Sequence, residues 1–175
     1  VPLDNSVLAN SIYSNIAGAT PGFGIDLADD SDGDYVADFS VGVTQNDTGD
    51  SDTGPNNYLN FPIVSNVSTT ADDVAITYSL DANLAEHSAT GFRIQYYANV
   101  VANPSGHGDG QIFIGYEDIS GPVSNHTFTI ANTGLPVGTY SFALTATAIT
   151  ASPTGFGSTS EFSGVEVAGI TATQA

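Results

Sequence analysis

The sequence has no cysteine, methionine, tryptophan or lysine, and only one arginine, Arg93. Without cysteine there is neither a disulfide framework nor thiolate chemistry. One basic side chain against nineteen acids leaves a formal net charge of −18 on 175 residues. No basic patch can be built from such a chain, which excludes nucleic acid as a partner and argues against anionic membranes. No apolar run reaches the length that crosses a bilayer, so membrane insertion is not expected. Strong helix formers are scarce, while Thr, Val, Ser, Gly and Asn are abundant, which favours strands and turns. What is present is enough apolar sequence for a packed core: 41% of residues are hydrophobic, too many for a disordered acidic tail. A charge so one-sided repels itself and calls for bound cations or screening salt.

The second half of the chain alternates with the period of a strand. Val74, Ile76, Tyr78 and Leu80 point one way, with Ala75, Thr77 and Ser79 the other. Phe92, Ile94 and Tyr96 repeat the pattern, followed by Ile112 and Ile114, then Phe128 and Ile130. The longest stripe is Tyr140, Phe142, Leu144, Ala146 and Ala148; Phe162, Val165 and Val167 suggest a last strand, bulged near Ser163-Gly164. Turn signals such as Asn103-Pro104-Ser105-Gly106 and Ser120-Gly121-Pro122 separate the runs. This pattern predicts an all-β fold, an Ig-like or jelly-roll β-sandwich over residues 68–175. Residues 1–67 form an N-terminal strand and acidic loop segment, expected to pack on the sandwich as one unit with it.

Nine of the nineteen acids fall between positions 26 and 52, and all nine are Asp. Short carboxylates in glycine-rich turns can converge on one point, and calcium takes six to eight oxygens at about 2.3–2.6 Å. The candidate calcium ligands are Asp26, Asp29, Asp30, Asp32 and Asp34 in one group, and Asn46, Asp47, Asp50 and Asp52 in the other. Neither group is an EF-hand: the twelfth position is Val41 counted from Asp30 and Phe61 counted from Asp50, and neither supplies the bidentate Glu. No His or Cys joins either group, which disfavours transition metals.

Catalytic patterns are weak. His87, His107 and His126 are far apart and share no metal spacing, and no Gly-x-Ser-x-Gly elbow frames a nucleophile. The chain is therefore not expected to be an enzyme. Arg93 alternates with Phe92 and Ile94 and should face outward, pairing with an acid on a neighbouring strand. Tyr35, Tyr58, Tyr97 and Tyr116 are the aromatics whose exposure would favour a carbohydrate surface. Three triplets, Asn46-Asp47-Thr48, Asn66-Val67-Ser68 and Asn125-His126-Thr127, fit the N-glycosylation acceptor pattern, which also arises by chance in such a composition.

Several stretches have a family likeness. Asn10-Ser11-Ile12-Tyr13-Ser14-Asn15 and Gly24-Ile25-Asp26-Leu27 resemble the final coils of bacterial secreted parallel β-helix repeat proteins. The run from Asn46 to Asn57, followed by Asn60-Phe61-Pro62, resembles the acidic segment after those coils. Phe92-Arg93-Ile94, Pro104 to Gln111 and Thr159-Ser160-Glu161-Phe162-Ser163 resemble the Ig-like sandwich attached there. The resemblance implies a secreted, surface-associated structural module. The expectation is thus an extracellular calcium-binding module of a cell-surface or filament-forming protein. Its partners would be copies of itself, joined by terminal strand donation because Val165–Ala175 has no proline and one charge, and surface polysaccharide. The alternative is a calcium-dependent carbohydrate-binding or adhesin module.

Overall fold

The computed structural model describes residues 4–17, 20–27, 42–151 and 155–172. Among them there is no α-helix. A small antiparallel pair comes first, β1 (Ile16–Ala17) and β2 (Thr20–Pro21), and a short 3-10 turn spans Pro55–Tyr58. The remaining strands are β3 (Ile63–Thr69), β4 (Val74–Leu80), β5 (Ala89–Asn99), β6 (Ile112–Ile119), β7 (Val123–Ile130), β8 (Gly138–Thr150), β9 (Phe156–Thr159) and β10 (Glu166–Ile170). They form two antiparallel sheets. One runs β3-β4-β7; the other runs β10-β8-β5-β6, with β9 also paired to β8. The fold is an all-β sandwich, and β3 begins at Ile63, within the segment assigned from sequence to the N-terminal unit.

The alternating stripes meet between the sheets. Val74, Ile76, Tyr78 and Leu80 of β4 face Phe92, Ile94 and Tyr96 of β5 and Phe142, Leu144, Ala146 and Ala148 of β8, all buried. Ala75, Thr77 and Ser79 turn away from this core, as period-two alternation requires. Arg93 lies outside the core on β5, directly opposite Asp118 of β6, and donates to both carboxylate oxygens at 2.7 and 2.8 Å. Its guanidinium is stacked between the rings of Tyr116 and Phe156, 4.0 and 4.6 Å from their centroids.

The five-stranded sheet is covered on its outer face too. Residues 5–12 cross part of it, turning at Ala9, which is left-handed with φ of 50°. Val7 N–H donates to Thr159 Oγ1, and Thr159 N–H to Asn5 O. With its amide turned so that both ends are satisfied, the buried Gln95 donates to Val7 O at 3.2 Å and accepts from Ala9 N–H at 2.7 Å. Ile12 and Gly110 exchange both backbone bonds. Beneath this layer a second small core gathers Tyr97, Ala143 and Phe162, with Ile25 and Val165 against it. The Phe162 ring fits because its neighbours are glycines: a Cβ on Gly24 or Gly110 would stand 2.7 or 2.8 Å from it.

This corrects the expected last strand. Phe162, Val165 and Val167 do not share one ladder. Phe162 sits in the connection between β9 and β10, and Val167 is 60% exposed, while Ile170 and Ala168 face the core. The C-terminal strand β10 pairs with β8 inside the chain over all five of its residues, and Thr69 Oγ1 donates to Gly169 O at 2.6 Å. A donated C-terminal strand would first have to leave this ladder.

Near the β6–β7 side of the core, Glu117 accepts from Tyr78 and Tyr96 on one oxygen, at 2.9 and 2.5 Å, and contacts His126 Nε2 at 3.0 Å with the other. Burial is the largest cause raising both phenol pKa values, and the adjacent carboxylate adds to it. Both hydroxyls therefore stay protonated as donors, and removing their shared acceptor leaves them only one another to bond, with at least one buried donor unpaired. Glu117→Ala should cost about 2–4 kcal/mol by denaturant titration, with Glu117→Gln costing less. A loss of only a few tenths for the alanine variant would show that water replaces the carboxylate.

Candidate metal centre

The acidic loop is fixed to the sandwich by side-chain amides that imitate strand pairing. Asn46 donates to Phe61 O at 2.7 Å and accepts from Phe61 N–H at 3.0 Å. The buried Asn60 amide accepts from Asp47 N–H at 3.0 Å and donates to Asp47 O and Asp81 O, both at 2.8 Å. Between these anchors the chain reverses at Gly49 and Asp50, both left-handed, with φ of 78° and 51°. Asp47 braces the reversal by accepting from the backbone N–H and hydroxyl of Ser51. Gly49 N–H donates to Asp81 Oδ2 at 3.0 Å.

The unusual backbone at Asp50 sends its side chain inward, to 1% exposure. Its Oδ1 accepts from Asn60 N–H at 2.9 Å, and its Oδ2 accepts from Asn83 N–H at 2.9 Å and contacts His87 Nε2 at 2.8 Å. His87 is itself buried and packed edge-on to Phe92. An ionised carboxylate offers about four lone-pair directions, so three such contacts leave one free.

Asp47, Asp50 and Asp52 each bring one carboxylate oxygen to within 4.8 Å of the others. Two oxygens on one calcium at 2.3–2.6 Å can be at most about 5.2 Å apart, so this spacing fits a shared ion. Asp52 Oδ1 is buried with no hydrogen-bond partner. The Asp52 pKa is raised, first by burial and then by the charges of Asp47 and Asp50. These three residues could hold a metal ion: the charges gathered here repel one another, and a buried acceptor lacks a donor.

The two sequence groups fare differently. Asp47, Asp50 and Asp52 come together. Asn46 is next in the chain, but both ends of its amide are engaged by Phe61. Asp26 lies outside the convergent group, and Asp29, Asp30, Asp32 and Asp34 lie outside the described residues. Of the four tyrosines, Tyr35 is also outside them, Tyr58 is half-buried, Tyr97 is buried, and Tyr116 is half-exposed with one face against Arg93. His87, Asn60 and Asp81 were missed by the sequence reading. They lie ten to forty residues from the loop positions they hold, and no local spacing marks them.

Glu161 was missed as well. Its buried carboxylate accepts from Leu27 N–H at 3.0 Å and Thr44 N–H at 2.7 Å, so it ties together the two chain positions that flank residues 28–41. Burial raises its pKa from 4.5 to about 7, against the lowering effect of those two donors.

No protein-family model and no curated protein matches the chain. The geometry itself must carry any functional reading.

The Glu161 shift has a definite sign. Between pH 4.5 and about 7 the folded chain holds a proton that the unfolded chain has lost, so this group makes stability fall as pH rises through that window. The fall is on the order of 3 kcal/mol over the full window, from the size of the shift. Glu161→Gln should flatten the slope of melting temperature against pH there, whatever it does to absolute stability. An unchanged slope would show that Glu161 is ionised in the folded state throughout.

Proposed function

We propose that the chain is a calcium-binding structural module of an extracellular or cell-surface protein. The observation that carries this reading is the convergence of Asp47, Asp50 and Asp52 around a buried carboxylate oxygen that has no donor. All the converging donors are oxygen, the preference of hard cations. His87, the nearby nitrogen donor, spends Nε2 on Asp50. Magnesium demands a near-ideal octahedron, whereas calcium tolerates the irregular shell that a turn and two loop carboxylates provide.

The same residues that would hold the ion also hold the fold. Asp50 fixes the backbone of Asn60, ahead of β3, and of Asn83, between β4 and β5. Asp47 shapes the turn in between. An ion here would link the acidic loop to one end of the sandwich. It would also offset a local share of the net charge of −18. Three carboxylates, two of them part-exposed, suit the weak affinities of extracellular modules, about 10⁻⁴–10⁻³ M, rather than those of cytosolic sensors. This supports placement outside the cell, where free calcium is high.

The test is a melt with calcium against chelator. Binding to the folded state alone contributes about 2.7 kcal/mol at a hundredfold excess over Kd, so calcium should raise the melting temperature by several degrees, and equal magnesium by less. Asp52→Asn separates the ion from the loop. It relieves repulsion, so it should melt at or above the native chain in chelator while losing the calcium response. A native chain whose melt ignores calcium would overturn the proposal.

A further inference from the structure

The outer face of the three-stranded sheet differs from the rest of this acidic surface. Strands β3, β4 and β7 contain no Asp or Glu. Their outward residues align in rows across the sheet: Asn66 beside Thr77 beside Thr127, and Ser68 beside Ala75 beside Thr129. Thr77 and Thr127 share a hydroxyl hydrogen bond of 2.7 Å. Asn125, one step along β7, is exposed and left-handed with φ of 49°, and its backbone N–H donates to Ser79 Oγ. The register irregularity of β3 falls between Val64 and Asn66, that of β4 with β7 opposite Ser124 and Asn125. Both irregularities turn an asparagine outward on an edge strand of this sheet.

Asn66 and Asn125 each open one of the three Asn-x-Ser/Thr triplets. Their side chains are exposed and make no hydrogen bond within the protein. The third, Asn46, is the opposite case: both ends of its amide are bound to the Phe61 backbone. We propose that Asn66 and Asn125 are acceptor sites for an N-linked oligosaccharide, carried side by side on the uncharged sheet face, and that Asn46 is not an acceptor. In the transfer, the asparagine amide nitrogen forms a bond to C1 of the reducing sugar of a polyprenyl-phosphate-linked oligosaccharide. The bond from C1 to the phosphate oxygen breaks, and the amide loses one proton as the phosphate leaves. No oxidant or reductant is needed. The two asparagines stand two strand spacings apart, about 10 Å across the sheet, and one row apart, about 7 Å along it. Two glycans would therefore cover a face that offers hydroxyls and amides for sugars but few apolar side chains for a protein partner.

This inference shares with the proposed function only its extracellular placement. The test secretes the full chain from a eukaryotic cell, measures intact mass, and maps glycans by mass spectrometry after enzymatic release in heavy-oxygen water. Glycans at Asn66 and Asn125 with Asn46 bare are expected. Asn66→Gln and Asn125→Gln should each remove one glycan and the double variant both, with no loss of the fold, because neither amide is bonded. Either site bare in the native chain, or a glycan on Asn46 in the folded product, would overturn the inference. The calcium melt on the same sample is independent. A glycosylated chain indifferent to calcium would sink the metal reading and leave this one standing.

Discussion

A carboxylate removed from water must be answered by a cation or by enough hydrogen-bond donors, and this chain has a single permanent cation. Arg93 is committed to Asp118 at the surface, so the buried acids depend on neutral donors or on histidine. Asp50 is held by two backbone N–H groups and His87, Glu161 by two backbone N–H groups, and Glu117 by two phenols and His126. Asp109, also buried, accepts from Asn103, and burial raises its pKa. These satisfied acids join segments far apart in sequence, and so they act as the staples that cysteine would otherwise provide. Among the described acids Asp52 is the exception, with one buried oxygen that has no donor, which is why the metal reading centres on it.

The sandwich was legible because its information is local. Alternation over β4, β5 and β8 places side chains on one face or the other without reference to distant residues. The Arg93 pairing followed from the same alternation. The convergence of Asp47, Asp50 and Asp52 was also visible, since turn residues and acids lie within one short loop. What was lost is what depends on distance. Phe162 looked like part of a terminal strand, but the glycines at 24 and 110 make a better place for its ring than the β8 edge does. β9 was hidden because Phe156-Gly157-Ser158-Thr159 is short and carries no alternating pattern. His87 belongs to the acidic loop only through the fold.

The two faces of the molecule carry different chemistry for one physical reason. The five-stranded sheet is covered on its outer side over β5 and β8, so Gln95, Thr145 and Thr147 there are buried polar groups, beneath the N-terminal segment. The three-stranded sheet has no such cover among the described residues, and its outward positions are mostly small hydroxyl and amide side chains, with the exposed Ile63 at one end. Polar residues on both outer faces look alike in sequence, and only the crossing of residues 5–12 distinguishes them.

The lone arginine also sets how the chain meets a protease. An enzyme that cuts only after lysine or arginine finds one target bond here, between Arg93 and Ile94. That bond lies inside β5, which is paired with β6 on one side and β8 on the other. Cleavage needs an extended strand free of both ladders, and freeing β5 dismantles the core sheet. Local fraying at the loops or ends does not reach it. Tryptic digestion therefore counts whole-molecule openings rather than surface motion, and each opening that is caught yields the same two fragments.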